Sequence, residues 1–555
     1  MSAISYASEL DVQTIFTLMG VASVVGVIVR WIKIPYTVAL VLVGLVLGFF
    51  NLVTPIELTE ELVLFIFLPA LLFEASWNLK LTHLKPSAWI ILILATIGVT
   101  FSIGFIGWVL HTLLGLPILV SLLFGAMVAP TDPVSVVAIM KQLKLDHYLS
   151  ALVEGESLCN DATAVVLFKL LLAVLILKGA EAAPLVLQEY ALSAFLQFLV
   201  VMVGGAVVGA VVGASFLAFA KQLDDHLMEL TFTTIAAYGS FLLAESISVP
   251  GQIPHLHLSG VIASVSAGLV MGNFSQKMGM TASTRVIISS FWEYAAFFMN
   301  SLIFLLIGLD IQVFDYEKHW YAVIVGVAVT LLARILMIYG ASFFINVNRK
   351  INRKKLFPLS WQHVLFWGGL RGALSMALVL SLPKEIIPQE YRELIILMVF
   401  GVVFYTLVFQ GTTISKLLKL LNFSNASSEA YSRHQELKTR LVGAQQALSR
   451  LSALSQGDHV FPVVKDKINQ QLSDEIAELN ASLDELQLSN ELLVFKDEVE
   501  TRAKLLKVKH TVTSEMVLEG EVNEEVGNKI KAELIESLEE LEHLQFGDIK
   551  GETTK

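Results

Sequence analysis

LPILVSLLFGAMVAPTDPVSVVAIM, residues 116–140, is the stretch that decides the fold. It is apolar enough and long enough to cross about 30 Å of hydrocarbon at about 1.5 Å per helical residue. Yet Pro130-Thr131-Asp132-Pro133 stands inside it, and a lipid-facing helix would not tolerate that sequence. Pro133 cannot donate a backbone hydrogen bond, and Pro130 disfavours helix at Ala129. The span should therefore break near Thr131 and leave backbone carbonyls free. A buried carboxylate beside such carbonyls and a threonine hydroxyl makes an oxygen-rich site, suited to a hard monovalent cation. The alternative is a simple proline kink, and the acid between the two prolines argues against it.

The rest of the chain agrees with a membrane setting. Of 555 residues, 55% are hydrophobic and 16% charged, against about 25% charged in an ordinary soluble protein. Mean hydropathy is +0.70. The 35 glycines suit helices that pack closely in lipid. Apolar segments can be drawn at 12–30, 34–51, 59–78, 87–111, 116–140, 149–177, 188–220, 227–248, 256–272, 287–310, 319–346, 361–382 and 393–420, which makes thirteen spans. The first starts near Val12 with neither a basic leader nor a small-residue cleavage site, so no signal peptide is read. The lone cysteine, Cys159, excludes an intramolecular disulfide and a Cys-rich metal site.

Lys and Arg in the connections set the orientation. One set of connections holds Arg30, Lys33, Lys80, Lys85, Lys141, Lys144, Lys221, Lys277, Arg285 and the cluster Arg349, Lys350, Arg353, Lys354 and Lys355. The other holds only Lys178, Lys318, Lys384 and Arg392. The N-terminus is accordingly expected outside and the C-terminus in the cytoplasm.

Three further spans carry residues that a lipid-facing helix would not tolerate. FLPALLFE (67–74) places Pro69 and Glu74 in hydrocarbon, EGESLCND (154–161) brings four ionisable or amide groups, and WGGLRG (367–372) sets Arg371 among glycines. An ionised group at membrane depth costs at least about 2.5–3.5 kcal/mol, so such a group needs a function or a partner. Ser157 and Asp161 are four apart, as are Glu156 and Asn160, so each pair stacks on one helical face. Asp161 and Ser157 can then face a cavity together while Glu156 seeks another partner. Arg371 is the expected one, since its planar fork takes a carboxylate bidentately. Glu74 either completes the ion site or lies near the membrane boundary as a gate or solvated residue. Lys169 reads as a snorkelling or paired side chain, and Arg334 and Glu293 as members of structural or gating ion pairs. His255 and His257 have no acid at metal spacing and read as solvated. A carboxylate removed from water can exchange a proton near physiological pH. If Asp161 binds either H+ or Na+, and the loaded site alternates between sides, antiport follows.

APTDPV (129–134), FLPALLFE, EGESLCND, FLLIGL (304–309) and WGGLRG together resemble the signature segments of the first cation:proton antiporter family, which includes bacterial NhaP-type antiporters and the animal sodium/proton exchangers. The resemblance covers about residues 10 to 420. It implies an all-α, NhaA-like fold of about 13 transmembrane helices, with inverted repeats and two crossing broken helices, assembled as a homodimer in the inner (plasma) membrane. It also implies Na+/H+ exchange serving pH and sodium homeostasis, with Li+ as a further candidate ion. Asp161 and Asp132 become the ion-binding acids, Thr131, Ser157 and Glu74 further ligands or lining groups, and Glu156 with Arg371 a supporting pair. Asn160 stands where the electrogenic branch has a second aspartate, which implies electroneutral exchange. No cofactor and no nucleic-acid partner are implied.

A membrane aspartyl protease would need Tyr-Asp and Gly-x-Gly-Asp motifs, and neither surrounds Asp132 or Asp161. A cation channel would need a filter-like loop, and none is evident. K+/H+ exchange stays open, because these side chains fix an oxygen site but not its radius.

Residues 1–421 thus read as the transporter domain, and 422–555 as an acidic, helical cytoplasmic tail. From Asn422 onward, 25 Asp/Glu stand against 15 Lys/Arg, nearly the whole net charge of −11. Ile468, Leu472, Ile476, Leu479, Leu483 and Leu486 recur at helical spacing, as do Ile530, Leu534, Leu538, Leu541 and Leu544. No phosphate-binding loop follows a strand, so a nucleotide-binding module is not expected. Anionic lipid would repel this tail, and contact with the basic loop at 349–355 is the alternative to membrane binding.

Overall fold

The computed structural model describes residues 12–32, 34–50, 52–53, 62–142, 147–178, 184–220, 225–253, 256–275, 280, 282–310, 316–351, 356–383, 387–421, 426–454, 462–488, 491–518, 521–523, 526–531 and 533–534. The tail positions Leu538, Leu541 and Leu544, together with His255 and many of the connection lysines, lie outside the described residues. The chain divides into two compact units. The first comprises Met1–Gln142, Asp146–Ile345 and Phe357–Leu421; the second comprises Asn422–Lys555 with the short segments Leu143–Leu145 and Asn346–Leu356.

The first unit is built from helices α1 (Val12–Ile32), α2 (Tyr36–Phe49), α3 (Val63–Asn78), α4 (Ala88–Leu114), α5 (Ile118–Val128), α6 (Val134–Gln142), α7 (His147–Lys178), α8 (Pro184–Ala220), α9 (His226–Ser246), α10 (Gly260–Phe274), α11 (Ala282–Asp310), α12 (Tyr316–Ile351), α13 (Leu359–Trp367), α14 (Ala373–Leu380) and α15 (Gln389–Leu420). Among the described residues the only β pairing is an isolated bridge between Ser248 and His257. Helices satisfy their own backbone groups, which a chain in lipid must do. Seven of them (α4, α7, α8, α9, α11, α12 and α15) contain stretches long and apolar enough to cross a membrane. Large apolar side chains such as Phe49, Trp108, Phe195, Val207, Phe343 and Phe344 point outward, as they do where lipid replaces water. The chain is a multi-pass membrane protein.

Small residues let these helices approach. A methyl group on Gly44 of α2 would lie 2.3 Å from the Leu305 carbonyl oxygen of α11, and one on Gly308 would lie 2.3 Å from the Val41 carbonyl oxygen. The FLLIGL segment is therefore a backbone-to-backbone crossing, held by the close contact that drives helix association in lipid. Beside it, Phe73 and Trp77 of α3 pack with Trp292 of α11, Ala236 and Ala237 of α9, and Ala267 and Met271 of α10. The two buried indole N–H groups donate to Ser289 Oγ and Thr233 Oγ1, each at 3.0 Å, which removes their desolvation cost.

Two spans are interrupted, and at the expected places. α5 ends at Val128 and α6 starts at Val134. Ala129 keeps helical angles (φ −69°, ψ −40°), so the break opens at Pro130, slightly later than the proline rule places it. α13 ends at Trp367, Gly372 is extended at φ −134°, and α14 begins at Ala373.

The second unit contains α16 (Ala426–Leu454), α17 (Pro462–Leu488) and α18 (Glu491–Leu518). Leu479 and Leu483 of α17 are buried while Ile468 is exposed, so the apolar stripe is covered toward the C-terminal part of that helix.

Candidate functional site

The two breaks meet through their backbones. Asp132 N–H donates to the Leu370 carbonyl at 2.7 Å, which joins the segment between α5 and α6 to the one between α13 and α14. Gly372 makes this approach possible: a Cβ there would stand 2.6 Å from Asp132 Oδ2 and 2.7 Å from its Cβ. Asp132 in turn accepts Val134 N–H at 2.9 Å, an i to i+2 turn that places its charge near the positive end of α6.

α7 passes behind the first break and supplies the other acid. Asp161 Oδ1 accepts Thr131 N–H at 3.2 Å, a donor that the proline-broken backbone leaves without a helical partner. One turn earlier, Ser157 shares a 3.0 Å hydrogen bond with the Thr131 hydroxyl. Asn160 donates from Nδ2 both to the Ala129 carbonyl at 3.1 Å and to Thr131 Oγ1 at 3.2 Å. Part of the oxygen set freed by the break is thus taken by the Asn160 amide.

Asp161, Asp132, Thr131 and Glu74 line one cavity of about 120 Å3, together with Glu154 and Asn300. Glu74 Oε1 also accepts Asn78 Nδ2 at 2.7 Å. Ser157 is not among the lining residues and reaches the site only through Thr131. Asn300 and Glu154 were not assigned from the sequence. Asn300 carries a signal that could have been used, an amide inside the apolar segment 287–310.

The structure corrects one expectation. Glu156 does not take Arg371 as its partner. Its two carboxylate oxygens accept from Arg334 of α12 at 2.7 and 3.1 Å, and this pair is buried, at 1% and 4% exposure. Arg334 also donates to the Leu365 carbonyl at 3.0 Å, one of the terminal carbonyls of α13 that have no helical N–H. Arg371 is served by the glycine break around it: its side chain donates to the Gly369 carbonyl at 3.3 Å, and its N–H to Thr406 Oγ1 at 3.0 Å. The break supplies the acceptor that the expected carboxylate would have supplied. Lys169 is paired, with Nζ at 2.7 and 2.8 Å from the two Glu245 oxygens. Glu293 is exposed.

A chain that presents two carboxylates and a threonine to a cavity where two helix breaks meet can bind a small cation or a proton. Among the described residues no cluster of three His, Cys, Asp or Glu side chains suits a resident metal ion.

Comparison with known proteins agrees with this geometry. The family model described as "Sodium/hydrogen exchanger, transmembrane" matches residues 19–420. The Na(+)/H(+) antiporter ApNhaP of Aphanothece halophytica is 35% identical, over 88% of this chain and 91% of that protein. The Na(+)/H(+) antiporter NhaG of Bacillus atrophaeus is 33% identical, over 97% and 99%. In three dimensions the chain resembles the sodium proton antiporter MjNhaP1 from Methanocaldococcus jannaschii at pH 8, with a TM-score of 0.59 at 20% identity, covering 73% of this chain and 97% of that one. The all-helical fold, the two joined breaks and the matched segment lead to one conclusion: the chain belongs to the transmembrane sodium/hydrogen exchanger family.

Proposed function

We propose that this chain is a secondary antiporter exchanging Na+ for H+, with the two ions competing for Asp161. The observation that carries the reading is the shared cavity: Asp161 and Asp132 face it together, where two helix breaks are joined by a backbone hydrogen bond. The names of the 33–35% identical relatives support sodium as the cation, and Li+ is the next candidate. Asp161 Oδ1 keeps one fixed donor, Thr131 N–H, which leaves its other oxygen available to ion or proton. Asp132, Thr131 and Glu74 complete the cavity wall around the ion, and Ser157 fixes the Thr131 hydroxyl.

Asp161 loads on one side, is carried across as a neutral ion pair or neutral acid, and unloads on the other. The bare carboxylate is costly to move through a dry barrier, which suppresses leak. The neutral Asn160 amide takes up no proton, so one H+ for one Na+, without net charge movement, is the expected stoichiometry.

Counting each broken pair as one span gives thirteen, with breaks in the fifth and twelfth. That spacing suits two six-helix inverted repeats joined by one connecting helix. The N-terminus lies outside and the tail in the cytoplasm of the inner (plasma) membrane. A homodimer would cover part of the exposed apolar face of α8, where Phe195, Val203 and Val207 point outward. The physiological role is pH and sodium homeostasis, with the tail, 422–555, as a regulatory module.

Proteoliposomes carrying an imposed proton gradient test the reading. Na+ should collapse the gradient with the membrane potential clamped or free, and Asp161→Asn should abolish that collapse while the purified protein keeps its chromatographic profile. Collapse by K+ alone, or exchange surviving Asp161→Asn, would refute it.

A further inference from the structure

Behind the ion site, on the far side of Asn160, lies a second and much smaller cavity of about 10 Å3, lined by Ser102, Asn160, Arg334 and Arg371 among others. Each of these four residues is at least nine-tenths buried. Each also has one buried polar atom with no hydrogen-bond partner among the described residues: Ser102 Oγ, Asn160 Oδ1, Arg334 Nε and Arg371 Nε. Buried polar groups are almost always paired, and a cluster of exceptions around one space points to a ligand.

The donor and acceptor inventory identifies its chemistry. The two guanidinium Nε–H groups can only donate, Asn160 Oδ1 can only accept, and the Ser102 hydroxyl can accept. Asn160 has no freedom to turn, because its Nδ2 is already committed to the Ala129 carbonyl and Thr131 Oγ1. The ligand must therefore take two hydrogen bonds and give at least one, with Ser102 able to accept a second. An anion would suit the arginines but leave Asn160 Oδ1 unanswered, and Glu156 already neutralises Arg334. The space itself is about that of one water molecule.

We propose that this cavity holds one resident water, accepting from Arg334 and Arg371 and donating to Asn160 and Ser102. The water joins the break that carries Arg371 to α12, which carries Arg334. Through Asn160 it also reaches the break that carries Thr131. It adds a third tie to the Asn160 amide, already held by the Ala129 carbonyl and Thr131 Oγ1, and so stiffens the support of the hydroxyl that faces the ion site. Ser102, on α4, becomes a positioning residue for an ion it does not touch.

A map of the full chain in lipid nanodiscs, at a resolution that shows ordered water, tests this directly. We expect one solvent peak within about 3.2 Å of all four atoms, of equal height in chloride and in chloride-free buffer. No peak, or a peak that needs chloride, overturns the proposal. Ser102→Val, whose branched methyl groups fill the cavity, should lose the peak and slow Na+/H+ exchange several-fold, with a raised apparent KM for Na+. Unchanged exchange in a Ser102→Val protein lacking the peak would overturn the positioning role.

Discussion

Two arginines and one glutamate lie buried beside the proposed ion site, and the distances decide which pair matters for stability. Glu156 is held bidentately by Arg334, whereas Arg371 relies on a backbone carbonyl. Removing one partner of a buried pair leaves the other charge uncompensated, at a cost of about 3–5 kcal/mol. Glu156→Gln and Arg334→Met should each lower the melting temperature of the purified protein markedly, and their effects should be far from additive. Arg371→Met should couple to Glu156→Gln much more weakly than Arg334→Met does, because Arg371 feels the Glu156 charge but makes no hydrogen bond to it. Thermal unfolding of the single and double variants checks this, and strong coupling between Glu156 and Arg371 would restore the pairing expected from sequence.

Among the elements, α7 carries Asp161, the acid proposed to exchange, and is tied to α9 by Lys169 and Glu245. Glu245 is itself anchored, since its Oε1 accepts the Gly260 N–H at 3.1 Å at the start of α10. The pair is partly exposed, at 32% and 15%, so its worth to stability should be below about 1 kcal/mol. If alternation moves α7 against α9 and α10, the pair forms in one state only, and its loss shifts the balance of states. Lys169→Met is expected to change the exchange rate several-fold while leaving the melting temperature nearly unaltered; an unaltered rate would show that the tie persists through the cycle. The breaks in α5/α6 and α13/α14 were legible in the sequence, because Pro130, Pro133 and the glycines around Arg371 break helices through their own backbones. The stacking of Ser157 and Asp161 followed from helical spacing alone. The partner of Glu156 was not legible. Arg334 and Arg371 are alike in type and depth, and only the packing of α12 against α7 separates them. The commitment of the Asn160 amide to Ala129 was hidden for the same reason.

At the scale of the whole molecule, the residues proposed to carry the exchange all lie in the first unit, and the acidic tail belongs to the second. Deleting residues beyond about 425 should therefore preserve Na+/H+ exchange and shift its pH dependence. An unchanged pH profile would remove the regulatory role. The central claim is competition at one carboxylate, and it has a direct signature in the apparent KM for Na+ measured against pH in proteoliposomes. If Na+ and H+ exclude each other at Asp161, the KM should rise as pH falls, approaching about tenfold per unit once Asp161 is mostly protonated, with the maximal rate little changed. A KM independent of pH, with acid lowering only the maximal rate, would contradict it.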